Sequence, residues 1–133
     1  MRTSRLQQGG RAGDSDTQDL EARSFDFAAA TIQLVQHFPA DTPRPLGEQI
    51  VAMAAGLGAD IAAAGATHSK RTHLNRLESA RRLSREVSYW MRLVVAAELV
   101  SPDTMRPFLD EAHALFQDLT QLCARLHQEG DAD

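Results

Sequence analysis

The sequence is poor in cysteine and in aromatic residues, and each shortage excludes a class of protein. Cys123 is the one cysteine, so no disulfide forms within the chain, which excludes a disulfide-stapled extracellular domain. Aromatic residues make up 5%, so the core must consist mainly of aliphatic side chains and alanine. No apolar run approaches the ~20 residues of a membrane-spanning helix, and residues 1–18 lack the apolar region of a secretory signal. We therefore expect a cytoplasmic protein without a membrane partner.

The residues that are abundant favour helix throughout the chain. Ala, Leu, Arg, Glu and Gln dominate, whereas β-branched residues are sparse and never alternate with polar ones. Four segments with helical spacing of apolar residues are separated by breaks at "PADTPRP", "THS" and "SPD". The second and third connections are short, which is typical of antiparallel neighbours. The sequence therefore predicts an all-α, antiparallel up-down-up-down four-helix bundle.

The expected domain organisation is a bundle between two tails. Residues 1–24 are polar and contain three glycines, so we predict a flexible, mobile N-terminal tail, with Ser24 as the first cap. Residues 25–128 form the four-helix bundle, and residues 129–133 form a C-terminal tail. Within the bundle the helices are expected at about 24–38, 45–66, 69–99 and 101–128.

The stretch "AAGLGADIAAAGA" has two interpretations. A phosphate-binding glycine loop needs a strand before it and a helix after it, but "EQIVAMAA" precedes Gly56 with a helical period. No Gly-Lys-Ser/Thr ending is present either. The alternative is a helix whose small residues allow a partner helix to approach closely. This structural seam is predicted to contain Gly56, Ala59, Asp60 and Ala63. If Asp60 is buried, it must be hydrogen-bonded or protonated, with a structural rather than a catalytic role.

One segment is basic inside an acidic protein. The chain has a net charge of −4, yet residues 68–97 carry seven basic groups against Glu78 and Glu86. Five residues of this segment fall along one helical stripe: Arg71, Arg82, Arg85, Tyr89 and Arg92. A basic row with an aromatic residue is able to track the phosphate backbone of RNA or DNA. The alternatives are a solvated face with Glu78–Arg82 and Arg82–Glu86 pairs, or contact with the acidic fourth helix of a neighbouring subunit.

The sequence offers no motif for a catalytic, cofactor or metal site. The carboxylate–histidine sites of helix bundles need Glu-x-x-His motifs, and the chain has none. Asp110 and His113 have Asp-x-x-His spacing but fall on a polar side, and no nucleophile motif is evident. We therefore expect no enzyme activity, no cofactor and no metal.

Helix one carries two apolar stripes, which predicts self-association. Phe25, Ala28, Ile32 and Val35 are interpreted as its core face. A second stripe would then be exposed and would mark a subunit interface, together with two residues of helix three. The candidate interface consists of Phe27, Leu34, Phe38, Leu93 and Val95. In the alternative, Phe27 and Phe38 close the bundle ends within one subunit.

The stretch "LGEQIVAMAAGLGADIAAA" resembles the second helix of the 23S rRNA intervening-sequence protein family. That family reads Leu-x-x-Gln, then small residues, then Gly-Ala-Asn-Ile-Ala-Glu. The matching residues are Leu46, Gln49, Gly58, Ala59, Ile61 and Ala62. Asp60 and Ala63 stand where Asn and Glu are usual, and the Tyr89-Trp90 pair resembles the Tyr-Trp of the family's third helix.

This resemblance covers residues 25–127 and implies a four-helix bundle in a cytosolic bacterial protein with no known catalytic activity. It also implies ring-like homopentamers. The accessory variability proteins of diversity-generating retroelements are a related branch that binds nucleic acid through a strongly basic surface. The present chain departs from that branch because it is acidic overall.

Overall fold

Four helices make up the part of the chain that the structure describes. The computed structural model describes the backbone of residues 12–132 and the side chains of residues 16–130. In chain order the helices are α1 (Ala12–Gln36), α2 (Arg44–Ala66), α3 (Lys70–Ala96) and α4 (Pro102–Ala132). Each helix packs on the next, and α4 packs back onto α1. The predicted all-α four-helix bundle is confirmed.

Contacts between neighbouring helices show that they run antiparallel. A Cβ built on Gly47, near the start of α2, would lie 2.8 Å from Val35 near the end of α1. At the other end of both helices, a Cβ on Gly65 would lie 3.7 Å from Thr17. On α3, the ring of His73 reaches the carbonyl oxygen of Ala64 at the end of α2, at 2.7 Å.

Two serines begin helices as the sequence predicts. The Ser69 hydroxyl accepts a hydrogen bond from the backbone N–H of Thr72, and α3 starts at the next residue. Ser101 accepts one from the N–H of Thr104 in the same way, with Pro102 at the first position of α4. Each hydroxyl satisfies one of the N–H groups that a helix leaves unpaired at its start.

The predicted N-terminal tail is wrong for residues 12–24, which form the first turns of α1. Thr17, Leu20 and Ser24 are buried there at helical spacing. Ser24 lies inside the helix and does not cap it, since its hydroxyl donates to the Glu21 carbonyl oxygen. Residues 1–11 lie outside the described residues. The predicted C-terminal tail is also wrong for residues 129–132, because α4 continues to Ala132.

The core face of α1 is rotated from the predicted one. Phe27 and Leu34, expected at a subunit interface, are 4% and 9% exposed and belong to the core of the subunit. Phe25 and Ile32, expected in the core, are 72% and 41% exposed. The physical reason is that hydroxyl residues occupy core positions: the Thr31 hydroxyl donates to the Phe27 carbonyl oxygen at 2.7 Å and is thereby satisfied without water.

The other three candidate interface residues lie in two different environments. Phe38 and Val95 are partly buried against the core, so they also belong to the bundle itself. For Phe38 this agrees with the alternative interpretation, in which it closes an end of the bundle within one subunit. Leu93 is 39% exposed, as predicted.

The small-residue seam of α2 is only partly where the sequence predicts it. A Cβ on Gly56 would lie 3.3 Å from Leu83 of α3, and one on Gly58 would lie 3.6 Å from the Ser24 carbonyl oxygen of α1. Close approach therefore occurs on two sides of α2. Ala59 is exposed and Ala63 is half-buried, so Ala59 does not belong to a seam. By length and composition alone α2 could cross a membrane, although in the bundle it packs between α1 and α3.

Candidate interaction surfaces

A groove of about 830 Å³ runs along α3 at its border with α4. Most of its lining comes from the outer face of α3, and Phe116 is the contribution of α4. The lining includes four of the five residues of the predicted basic stripe: Arg82, Arg85, Tyr89 and Arg92. Arg71 is exposed but does not line the groove.

Arginine side chains lie over both aromatic rings of the groove. The guanidinium carbons of Arg81 and Arg85 each lie 5.6 Å from the centre of the Phe116 ring. Arg92 lies 5.9 Å from the centre of the Tyr89 ring. A ring face attracts a cation without neutralising it. The aromatic residues therefore hold the Arg85 and Arg92 guanidinium groups in place while leaving their charge available to an anion.

The carboxylates of the groove pair with only some of its arginines. Arg82 binds Glu86 at 3.3 Å, and Arg81 binds Glu78 at 3.1 Å. The predicted Glu78–Arg82 pair is therefore replaced by a Glu78–Arg81 pair. Arg85 and Arg92 have no carboxylate partner among residues 16–130.

Glu78 also joins α3 to the last turns of α4. The ring Nε2 of His127 lies 3.1 Å from its carboxylate. Burial raises the pKa of Glu78, but the hydrogen bonds from His127 and Arg81 outweigh burial, so the pKa lies below its usual value. The carboxylate is thus charged in the folded protein at neutral pH.

Phe116 and Arg81 are the aromatic and charged groove residues that sequence reasoning missed. Phe116 fits the apolar stripe of α4, where a ring is expected to be core, and Arg81 lies off the stripe of α3. Their position follows from how α3 and α4 are paired, which their own spacing does not reveal.

Two exposed apolar surfaces lie outside the core. Phe25 and Ile32, two turns apart on α1, are named here the α1 surface. Tyr89 and Leu93, one turn apart on α3, are named the α3 surface and are 54% and 39% exposed. Tyr89 therefore belongs both to the groove and to the α3 surface.

Asp60 and Cys123 are two further groups capable of chemistry, and both are buried in the fold. Asp60 is buried, and its carboxylate accepts a hydrogen bond from Arg76 at 3.0 Å, which supports a structural role. Burial raises the pKa of Cys123 to about 11, so its thiol stays protonated at neutral pH. Among the side chains of residues 16–130, no group of three or more His, Cys, Asp or Glu is placed to hold a metal ion.

The fold and these surfaces define a small helical bundle whose chemistry lies on its outer faces. The chain belongs to the 23S rRNA-intervening sequence protein family, whose model matches residues 17–121. It is also similar to the crystal structure of a protein with unknown function from the S23 ribosomal protein family of Bacteroides thetaiotaomicron. The two share 18% sequence identity with a TM-score of 0.74, over 82% of this chain and 98% of that one. No curated protein matches the sequence.

Proposed function

We propose that this chain is a non-enzymatic cytoplasmic scaffold that assembles with copies of itself, head to tail, into a closed ring. The observation that carries the proposal is the pair of exposed apolar surfaces on α1 and α3. Large apolar side chains exposed in neighbouring turns usually mark a contact with another molecule. Five copies is the number that the family resemblance implies.

The position of the two surfaces favours a head-to-tail contact. α1 and α3 each pack against α2 and α4, so they lie at diagonally opposite corners of the bundle and their outer faces point in different directions. A two-fold contact would pair one surface with itself and leave the other in water. A heterologous contact, in which the α1 surface of one copy meets the α3 surface of the next, covers both.

Charge complementarity supports a second copy as the occupant. Glu21 and Asp26 are exposed on α1, and Arg23, the only Lys or Arg in that helix, is half-buried and paired with carboxylates. The outer face of α3 carries the exposed Arg82, Arg85 and Arg92. An acidic rim around the α1 surface thus matches a basic rim around the α3 surface, which favours correct pairing and faster association.

Light scattering behind a sizing column tests the assembly. We expect a molar mass several times the 14.6 kDa of one chain. The Phe25→Asp/Ile32→Asp variant should elute as a monomer with unchanged helicity, because both side chains are exposed in the subunit. The His113→Asp/Gln117→Asp variant, with two substitutions on the exposed face of α4, is the matched control and should assemble. A wild-type protein with the mass of one chain would overturn the proposal.

The second candidate function is binding of RNA or DNA in the groove of α3. The observation that favours it is that Arg85 and Arg92 have no carboxylate partner in the described part of the chain and are held on aromatic rings. Phosphate groups are natural partners for such guanidinium groups, and Tyr89 is exposed enough to stack with a base.

Fluorescence anisotropy with a labelled single-stranded RNA and the matching DNA tests this candidate. Binding should weaken steeply as salt rises, since phosphate contacts release counterions. Arg82→Glu/Arg85→Glu should abolish it, whereas Arg44→Glu/Arg106→Glu, an equal charge change at exposed sites outside the groove, should retain most of it. A wild-type protein that shifts neither probe at low salt would leave only the scaffold.

A further inference from the structure

The border between α1 and α4 is the thinnest of the four helix borders in the bundle. The part of this border that residues 16–24 of α1 form is mainly polar. Among residues 16–24 of α1, Leu20 is the one large apolar side chain that is buried, beside the small Thr17 and Ser24. The second half of α1 is anchored by Phe27 and Leu34, with Val35 and, just beyond the end of the helix, Phe38 packed against the core. The two halves of α1 are therefore held differently: the second half by apolar packing, and the first half by the close contacts of Thr17 and Ser24 with α2 and by polar contacts with α4.

Arg23 makes the main cross-helix contact of the polar half. Its Nη1 donates to Asp118 at 2.7 Å, and its Nε and Nη2 donate to the two oxygens of Glu111 at 3.3 and 3.4 Å. Asp19, one turn earlier on α1, lies 3.5 Å from the same guanidinium. One cation thus holds together three carboxylates that would otherwise repel one another across the border.

A second ion pair lies toward the start of α1, where Arg125 of α4 donates to Asp16. Burial disfavours the charged form of Arg23, but the hydrogen bonds that it donates to Asp118 and Glu111 outweigh burial and raise its pKa above the usual value. The charged guanidinium is therefore stabilised where it lies. A border that relies on exposed or half-exposed ion pairs weakens as salt rises, whereas apolar packing does not.

We propose that residues 12–24 of α1 are an ion-pair latch on α4, which opens as a unit on the intact bundle when the Arg23 contacts are broken or screened. Opening uncovers Leu122 of α4, which lines the same cleft as Leu20 and Arg23. The latch is independent of the proposed assembly. Phe25 and Ile32 lie roughly 180° from Arg23 around the helix axis, so the α1 surface and Arg23 are on opposite sides of α1.

Hydrogen exchange with mass spectrometry on the full chain tests the latch. In Arg23→Met, which keeps an apolar stem but removes the charge, the amides of residues 12–24 should exchange at least tenfold faster than in the wild type. The amides of α2 should keep their wild-type rates. Raising the salt concentration should speed exchange of residues 12–24 in the wild type, and less so in the variant, where the Arg125–Asp16 pair remains and salt also screens the repulsion between the carboxylates. Arg106→Met is the matched control, because the carboxylate partner of Arg106 among residues 16–130 is Asp103 of its own helix.

A second variant, Asp118→Asn, removes the negative charge from the shortest of the Arg23 contacts and should give the same selective effect in weaker form. Exchange of residues 12–24 at the wild-type rate in both variants would overturn the latch. A rise shared equally by all four helices would overturn it as well, since residues 12–24 would then unfold only with the whole bundle.

Discussion

Asp60 is a buried carboxylate in the most alanine-rich helix of the bundle. Its partner, Arg76, is about half exposed, with a side-chain exposure of 52% against 12% for Asp60. Water screens such a pair, so its charge contributes little, whereas the hydrogen bond satisfies a group that burial would otherwise leave unpaired.

Asp60→Asn should therefore be tolerated and Asp60→Leu should not. Asn keeps an oxygen that accepts from Arg76, so we expect a change in unfolding free energy below about 1 kcal/mol. Leu places extra methyl groups in a tightly packed position, which should cost about 1–3 kcal/mol. Urea denaturation measures both, with Ala59→Leu at the exposed neighbouring residue as control. Equal midpoints for Asp60→Leu and Ala59→Leu would show that the site is loosely packed.

Glu78 should make stability depend on pH in the acid range. Because hydrogen bonds from His127 and Arg81 hold its pKa below the usual value, its contribution is complete above the pKa of the unfolded chain. That contribution is lost as the pH falls through the lowered pKa of the folded state.

The stability advantage of wild type over Glu78→Gln should therefore be larger at pH 7 than at pH 3. The side chain is 35% exposed, so the difference should stay below about 1 kcal/mol. Urea midpoints across this pH range measure it. Glu48→Gln, at an exposed position of α2, is the control. Parallel pH curves for wild type and Glu78→Gln would contradict the expectation.

The end of α3 is set by a left-handed residue. Glu98 has a φ of 64°, and its N–H donates to the carbonyl oxygen of Val95, while the N–H of Leu99 donates to that of Val94. These two bonds form a Schellman motif, which satisfies carbonyl groups at a helix end and usually has glycine at the left-handed position. The helix therefore stops at Ala96, three residues before the expected end, because a glutamate gives no sequence signal for this motif.

Glu98→Gly should stabilise the protein by about 0.5–1 kcal/mol, because glycine adopts a positive φ without the strain that a side chain brings. The same change at Ala97, whose φ is −80°, should destabilise, since it only adds freedom to the unfolded chain. Thermal unfolding of the two variants gives the comparison. A lower melting temperature for Glu98→Gly than for wild type would show that the glutamate side chain makes a compensating contact.

Helix α1 shows how far hydrophobic spacing predicts an element. Both of its stripes have helical spacing, and in the stripe expected to face the core Phe25 and Ile32 are exposed, whereas Ala28 and Val35 pack against the core. The buried stripe alternates Thr17, Ser24 and Thr31 with Leu20, Phe27 and Leu34, and the hydroxyl groups of Ser24 and Thr31 donate to carbonyl groups one turn earlier. Counting Ser and Thr as possible core residues would have revealed this period and extended the helix past the expected tail.

Helices α2, α3 and α4 were predictable because their buried faces are conventional and their starts carry strong signals. The residues of the basic stripe and their exposure on one face of α3 were also predictable. Its groove was not, because Phe116 comes from another helix and the packing of α3 on α4 decides which arginines lie over it.

At the scale of the whole molecule, the bundle buries its core within one chain. It leaves two unlike surfaces exposed, the α1 surface and the α3 surface, on diagonally placed helices. Self-association stays a prediction, and the residues of helix one that the sequence assigns to it, Phe27 and Leu34, are core residues. The structure transfers that hypothesis from Phe27 and Leu34 to Phe25 and Ile32. Substituting Phe27 or Leu34 with Asp should now unfold the subunit, since a charge would enter the core.

The head-to-tail contact is the central claim, and mixing two defective variants tests it most directly. Phe25→Asp/Ile32→Asp removes the α1 surface, and Leu93→Asp removes the α3 surface; each variant alone should be monomeric by light scattering. Each retains the surface that the other lacks, so an equimolar mixture should form one good contact and stop at twice the mass of one chain. A mixture that keeps the mass of one chain, 14.6 kDa, would contradict the account.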